Sequence, residues 1–280
     1  MCSEFCEIPN FIFKNIIEYI KKKFNFKSLE RAINMTNINK YNLVITGSIG
    51  AGKSTISQII TYILKNYCKN TNIYPEYISV CFNNRPIGQD IFDMYMNHEI
   101  TSSTFQNFII DIWKTLFEKN NYIDITKEFT INIFERLPHD AVFCFSKEQV
   151  GKTMTDEEYE IILKKYNQME KDIKIPTYNK CKFQKIHNDG DICDVIIEIL
   201  NVIIGDMISN YDITRVIGLQ ISNEKYKQRI QQRGRESEEK YCDLILNHYN
   251  EYYNKLYDSI QKNNLYSEIY ELNDNLSTEF

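Results

Sequence analysis

One segment of nine residues, Gly47–Thr55, constrains the fold of this chain more than any other part of the sequence. It runs Gly-Ser-Ile-Gly-Ala-Gly-Lys-Ser-Thr and holds three of the nine glycines in the chain. An apolar, β-branched segment, Asn42–Thr46, comes directly before it, and an apolar helical pattern follows from Ile56 to Leu64. A strand, a glycine-rich turn and a helix in this order predict an α/β fold with a parallel sheet.

The same segment fits the pattern Gly-x4-Gly-Lys-Ser, in which backbone N–H groups surround a phosphate at the start of a helix. Lys53 would reach the β- and γ-phosphates, and the Ser54 hydroxyl would bind Mg²⁺. The alternative is a glycine-rich turn without a ligand, but the strand before it and the helix after it favour a nucleoside triphosphate. The predicted nucleotide-binding residues are Gly47, Ser48, Ile49, Gly50, Ala51, Gly52, Lys53, Ser54 and Thr55.

Further strands and helices alternate along the chain, which predicts a sheet of about five strands with helices on both faces. Residues 1–40 look like a helical N-terminal extension, and residues 41–280 would form the main domain. Within it, residues 150–213 contain an insertion, of which 172–194 fits neither a helix nor a strand. The predicted strands are 72–76, 129–134, 216–222 and 269–272; the predicted helices are 89–119, 156–171, 196–208, one from 223, and a tyrosine-rich C-terminal one.

Composition narrows the possible partners and the compartment. The net charge of −5 argues against a protein that grips nucleic acid, which needs a basic surface. The eight cysteines contain no Cys-x-x-Cys pair and no regular spacing, so they are expected to be reduced thiols in a chain without a metal centre of cysteine and histidine. No leader pattern and no apolar run long enough for a bilayer are present, which predicts a cytoplasmic protein with no membrane partner.

Charged residues follow three of the predicted strands, where ligands bind in parallel sheets. Glu76 closes the second strand, and Glu135-Arg136 closes the third. Three arginines at a spacing typical of a closing lid follow the fourth. Phosphoryl transfer depends on positioning and on charge stabilisation, so this set favours a kinase of small molecules. The lid is predicted at about 229–240, with the arginines Arg229, Arg233 and Arg235.

Taken in order, these motifs resemble those of the deoxynucleoside kinase family, which includes mitochondrial thymidine kinase, deoxycytidine kinase and the insect multisubstrate enzyme. The resemblance runs from about Asn42 to Tyr253, with an unmatched stretch within 150–213. It implies ATP and Mg²⁺ as cofactors, a deoxynucleoside as substrate, and a homodimer. The motifs that carry it are the loop Gly47–Thr55, Glu76, Met94-Tyr95, Phe105-Gln106, Glu135-Arg136, Phe145 and the segment Arg229–Glu238.

The resemblance also implies a role for each matched residue. Glu76 is similar to the general base that takes the proton of the 5′-hydroxyl, and Arg136 to the arginine that holds both. Gln106 resembles the glutamine that pairs with the base, and Phe145 the ring beneath it. The remaining matches are Glu135 near Mg²⁺, Tyr95 and Glu238 at the 3′-hydroxyl, Met94 and Phe105 in the nucleoside site, and Arg229, Arg233 and Arg235 on the phosphates.

Two positions suggest which base is preferred. Family members that favour deoxycytidine and purines carry a charged Asp and Arg pair where this chain has Ala141 and Trp113. A pyrimidine, thymidine in particular, is therefore the expected substrate, and the enzyme would serve nucleotide salvage. Two alternatives remain: a nucleoside monophosphate kinase such as thymidylate kinase, and a nucleotide-binding regulatory protein without catalysis.

Overall fold

A computed structural model describes residues 10–48, 50–80, 86–119, 128–178, 181–210 and 214–233, and residues 251, 253, 254 and 257. The described residues form two compact units. One, here called the helical unit, lies within Tyr74–Thr126 and Arg136–Thr177. The other, here called the sheet unit, lies within Ile8–Ile73, Lys127–Glu135 and Tyr178–Phe280.

The sheet unit is built on five strands in the order β2-β3-β1-β5-β4. β1 pairs in parallel with β3 and with β5, and β4 pairs in parallel with β5. The predicted parallel α/β sheet is thereby confirmed. The strands are β1 (Lys40–Gly47), β2 (Thr71–Tyr74), β3 (Thr130–Glu135), β4 (Cys181–His187) and β5 (Thr214–Gln220).

Nine α-helices are present among the described residues, and four of them cover one face of this sheet. Their apolar stripes meet strand residues such as Leu43 and Ile217, which are fully buried. On the opposite face, the rings of Phe183 and Tyr257 lie 4.5 Å apart. The covering helices are α1 (Asn10–Lys23), α2 (Phe26–Met35), α3 (Lys53–Lys65) and α8 (Ile192–Ser209), and the others are α4 (Ile87–Met96), α5 (Ser102–Lys119), α6 (Pro138–Asp140), α7 (Asp156–Ile173) and α9 (Asn223–Arg233).

Helices dominate the helical unit, in which α5 packs against α7. The helical region predicted over about residues 89–119 consists of two separate helices, α4 and α5. Between them, His98 adopts a positive φ of 60°, a conformation that ends a helix. After α6 the chain forms a π-helical turn, Ala141–Ser146, a rare geometry that often occurs at functional sites.

The stretch that the sequence left unplaced supplies part of the sheet. Residues 172–194 contain β4, which pairs with β5 at the edge of the sheet. Its sequence mixes Lys182, Gln184 and Lys185 with apolar residues, and the pattern is partly exposed as edge strands often are. This mixture hides a strand from a search for apolar runs. Four short strands are confirmed within two residues at each end, namely those predicted at 42–46, 72–76, 129–134 and 216–222.

The remaining expectations have different outcomes. Residues 10–35 are helical except at the turn between α1 and α2, as predicted for the lead-in. The predicted C-terminal strand, 269–272, lies outside the described residues. The division into residues 1–40 and 41–280 stays a prediction. In the described part of the chain, no helix has the length and apolar character to cross a membrane.

Candidate active site

The glycine-rich loop of the sheet unit joins β1 to α3 and closely approaches β5. A Cβ atom at Gly47 would lie 2.3 Å from the carbonyl oxygen of Leu219, so only glycine fits there. Gly52 stands at the N-cap of α3 with a positive φ of 88°, which also favours glycine. The loop therefore leads directly into the first turn of α3, whose N–H groups have no partner within the helix. Loop and helix N–H groups in this arrangement bind phosphates.

Lys53 and Ser54 open α3, and both side chains are already oriented. The Lys53 ammonium group is buried and donates a hydrogen bond of 2.9 Å to the carbonyl oxygen of Ser48. The Ser54 hydroxyl donates to the carboxylate of Glu135, the last residue of β3. A hydroxyl and a carboxylate at a helix N-terminus are oxygen ligands of the kind that Mg²⁺ prefers. These two residues fit a magnesium ion bound beside a phosphate.

A residue that the sequence did not single out, Asn188, contacts the same loop. It follows β4 directly, is fully buried, and donates from Nδ2 to the carbonyl oxygen of Ala51 at 2.7 Å. Arg229 on α9 donates to the carbonyl oxygens of Gly50 at 3.1 Å and of Asn188 at 2.9 Å. Because β4 was not predicted, nothing in the sequence pattern pointed to Asn188. Arg229 was predicted to bind ATP, and the structure brings it to the loop.

In the helical unit, Glu76 and Arg136 form an ion pair. The Arg136 side chain is 5% exposed and the Glu76 side chain 18% exposed. Arg136 adopts a positive φ of 66°, which is uncommon and strained for a residue with a long side chain. The backbone beyond it is fixed by Asp140, whose carboxylate accepts a hydrogen bond from the N–H of Leu137 at 3.1 Å. The local backbone conformation and this hydrogen bond therefore hold the ion pair in place.

Phe145 lies next to this pair. Its ring is 5.5 Å from the Arg136 guanidinium carbon, within range of a cation–π interaction. It belongs to the π-helical turn, and Ala141 at the start of that turn is buried. His139, just before the turn, has its pKa lowered to about 4 by burial, so the imidazole is neutral at neutral pH.

Aromatic rings and one amide gather along α4 and α5. The rings of Tyr95 and Phe105 stack at 4.4 Å with an interplanar angle of 4°. Gln106 is buried, and its Oε1 has no hydrogen-bond partner among the described residues. Trp113 is buried and stacks on Phe117, whereas Met94 is 39% exposed. A buried amide oxygen without a partner is costly, and a polar ligand would satisfy it.

The remaining predicted site residues are described only in part. Thr55 lies in the first turn of α3, and Arg233 is the last residue of α9. Ile49, Arg235 and Glu238 lie outside the described residues. The roles given to the site residues by resemblance stay predictions.

Comparison with known proteins places this chain in a family. A model of the family described as deoxynucleoside kinase matches residues 43–188, more than half of the chain. No curated protein matches the chain. Solved structures similar to it include deoxyadenosine kinase from M. mycoides with bound dATP, at 18% identity over 76% of this chain and 84% of that chain, with a TM-score of 0.45. Another is thymidylate kinase from Ehrlichia chaffeensis, at 14% identity over 69% of this chain and 98% of that chain, with a TM-score of 0.38. The match to the family model shows that the chain belongs to the deoxynucleoside kinase family.

Proposed function

We propose that the chain transfers the γ-phosphoryl group of ATP to the 5′-hydroxyl of a deoxynucleoside. The observation that carries the proposal is the ion pair of Glu76 and Arg136, held beside an aromatic ring by a strained backbone. Strain of this kind persists where the surroundings enforce it, and it is concentrated at functional sites. A carboxylate fixed by a guanidinium can accept a proton from an alcohol without moving.

In the proposed reaction, Glu76 accepts the proton of the 5′-hydroxyl while the hydroxyl oxygen attacks the γ-phosphorus. The bond from that phosphorus to the β,γ-bridging oxygen breaks, and ADP leaves. Arg136 holds Glu76 and the attacking hydroxyl. Lys53 and the backbone N–H groups of the loop stabilise the charge on the phosphate oxygens, with the arginines Arg229, Arg233 and Arg235 closing over them.

A magnesium ion fits the same proposal. Ser54 and Glu135 would hold it, and it would neutralise charge on the β- and γ-phosphates. The contact between their side chains supports this assignment, because it brings a hydroxyl and a carboxylate together at the start of α3.

Recognition of the base is proposed to depend on Gln106 and on the rings around it. The unsatisfied Oε1 of Gln106 supports pairing with a base edge, since a matching donor would satisfy it and a wrong base would not. Phe145 is proposed to stack on the base, Tyr95 to bind the 3′-hydroxyl together with Glu238, and Met94 and Phe105 to line the nucleoside site.

A pyrimidine is the proposed substrate, with thymidine preferred and nucleotide salvage as the biological role. Both Trp113 and Ala141 are buried and uncharged. A large indole leaves little room for a purine, and no charged pair is available at these positions to bind one. The protein is further proposed to act in the cytoplasm as a homodimer that binds no nucleic acid.

A phosphorylation screen with Mg·ATP tests the proposal directly. The four deoxynucleosides and their monophosphates would be supplied in turn, and product formation measured. We expect the highest kcat/KM with thymidine. A clear preference for deoxyguanosine would defeat the pyrimidine assignment, turnover of thymidine monophosphate without turnover of thymidine would favour a monophosphate kinase, and ATP binding without any product would favour a regulatory protein.

The base preference should change when the charged pair is installed. In the double variant Trp113→Arg and Ala141→Asp, we expect the ratio of kcat/KM for deoxycytidine to that for thymidine to rise by about tenfold or more. The double variant is needed because a single buried charge would lack a partner. Trp113→Phe is the matched control and should keep the thymidine preference. An unchanged ratio in the folded double variant would contradict the role of these two positions.

A further inference from the structure

Two side chains donate hydrogen bonds to backbone carbonyl oxygens of the glycine-rich loop Gly47–Thr55, here called the phosphate loop. Asn188 donates from Nδ2 to the carbonyl oxygen of Ala51 at 2.7 Å, and Arg229 donates to that of Gly50 at 3.1 Å. Both carbonyl groups lie next to glycines with positive φ, 76° at Gly50 and 88° at Gly52. Glycine populates several backbone conformations easily, so these peptide groups need external contacts to keep one orientation.

The orientation of these two peptide groups decides what the loop can bind. In a trans peptide the C=O and N–H groups point in opposite directions. A donor that holds the Ala51 carbonyl from outside therefore turns the N–H of Gly52 to the other side. That N–H stands at the N-cap of α3, where helix N–H groups bind phosphate. The contact from Asn188 sets a phosphate-binding donor without touching the phosphate.

Asn188 is itself held in place independently of its side chain. Its N–H donates to the carbonyl oxygen of Gln220 at 2.7 Å, which ties it to the end of β5. Its own carbonyl oxygen accepts from Arg229 at 2.9 Å. The side chain is fully buried, and its Oδ1 has no partner in the part of the chain that the structure describes. The contact to Ala51 is thus the hydrogen bond that the structure gives this buried amide.

The approach of Asn188 to the loop is also close. A Cβ atom at Gly52 would lie 2.7 Å from Nδ2 of Asn188, so the amide occupies the space over the loop that a larger residue would need. The link through Arg229 extends the same contact to α9, the helix that carries Arg229 and Arg233 of the predicted lid. A series of hydrogen bonds then links α9 through Asn188 to the loop.

We propose that Asn188 is a positioning residue for ATP, which acts by fixing the Ala51–Gly52 peptide of the phosphate loop and by seating Arg229. This inference rests on the proposed function and names a residue for its donor site. It assigns a role to the end of β4, which lies in the stretch that the sequence left unplaced.

The variant Asn188→Leu tests the proposal, because leucine has the same number and branching of side-chain heavy atoms as asparagine and cannot donate. We expect the Kd for Mg·ATP, measured by calorimetry, to rise about tenfold, which corresponds to roughly 1.4 kcal/mol. The KM for the nucleoside at saturating ATP should stay within about twofold, since none of the hydrogen bonds of Asn188 among the described residues is to a residue proposed to bind the nucleoside. If Asn188 had only a structural role, the variant would lower the unfolding temperature without raising the Kd for Mg·ATP selectively over the KM for the nucleoside.

Gln184→Leu is the matched control. It also replaces an amide side chain with leucine, on β4, at a side chain that donates to Glu198 at the surface. It should leave the Kd for Mg·ATP unchanged. If Asn188→Leu does not fold, Asn188→Ala replaces it with the same expected rise. An unchanged Kd for Mg·ATP in either folded variant would overturn the proposal.

The two proposals fail in distinguishable ways. Binding of ATP by the wild-type chain without phosphorylation of any nucleoside would defeat the proposed function. The effect of Asn188→Leu on the Kd for Mg·ATP is measured without turnover, so that result decides the role of Asn188 by itself.

Discussion

Replacing Glu76 with glutamine should lower kcat by about a thousandfold, while Mg·ATP still binds. General base catalysis contributes on the order of 10²- to 10⁴-fold, and glutamine keeps the shape of glutamate without its basicity. Arg136 keeps a hydrogen-bond acceptor beside it in this variant, since the amide oxygen can replace the carboxylate oxygen that now pairs with it. Steady-state kinetics with thymidine and Mg·ATP measure the loss, and calorimetry measures ATP binding.

Asp111→Asn is the matched control for that experiment. Asp111 also lies in the helical unit and forms an ion pair, with Lys165 at 2.7 Å, but its side chain is 55% exposed. Exposed pairs of this kind contribute little, so kcat should stay within about twofold. Full turnover by the folded Glu76→Gln variant would show that this carboxylate is not the base.

The sequence predicted the strand, the glycine-rich loop and the helix around Gly47–Thr55 well, because the signal for them is local. The strand, the glycines and the lysine follow one another along the chain, so the pattern is visible without knowledge of the contacts that these residues make with distant ones. Ser54 and Glu135 are 81 residues apart, yet both could be placed because each ends or begins a recognisable element. The order of strands in a parallel sheet then brings such ends to one edge.

What escaped the sequence depends on long-range contacts or on unusual backbone. Asn188 follows an edge strand whose apolar pattern is broken by lysines and a glutamine, so neither the strand nor its end was visible. The positive φ of Arg136 also has no signal, because arginine rarely adopts it and only the surrounding structure enforces it. Similarly, the positive φ of His98, between α4 and α5, has no signal in the apolar pattern.

A buried ionic cluster in the sheet unit could not be predicted from the sequence either, because it also depends on long-range contacts. Asp206 on α8 accepts two hydrogen bonds from Arg215 on β5, from Nε at 2.8 Å and from the terminal nitrogen at 2.5 Å. The Tyr41 hydroxyl donates to it at 2.8 Å, and the Lys182 ammonium lies 3.9 Å away. All four residues are buried. Burial, and then the negative charge of Asp206, raises the pKa of Tyr41 well above its ordinary value, so the phenol stays protonated and donates.

Asp206→Ala should therefore destabilise the fold by about 3–5 kcal/mol, because it removes the carboxylate to which the buried Arg215 guanidinium donates two hydrogen bonds. Urea unfolding measures this loss. Glu198→Ala removes an exposed carboxylate from the same helix, and its effect should stay within about 1 kcal/mol. The triple variant Asp206→Leu, Arg215→Met and Lys182→Met should recover most of the stability, since apolar residues of similar size replace a buried ionic cluster at little cost. Equal losses for Asp206→Ala and Glu198→Ala would contradict this account, since they would mean that the buried cations do not need the carboxylate.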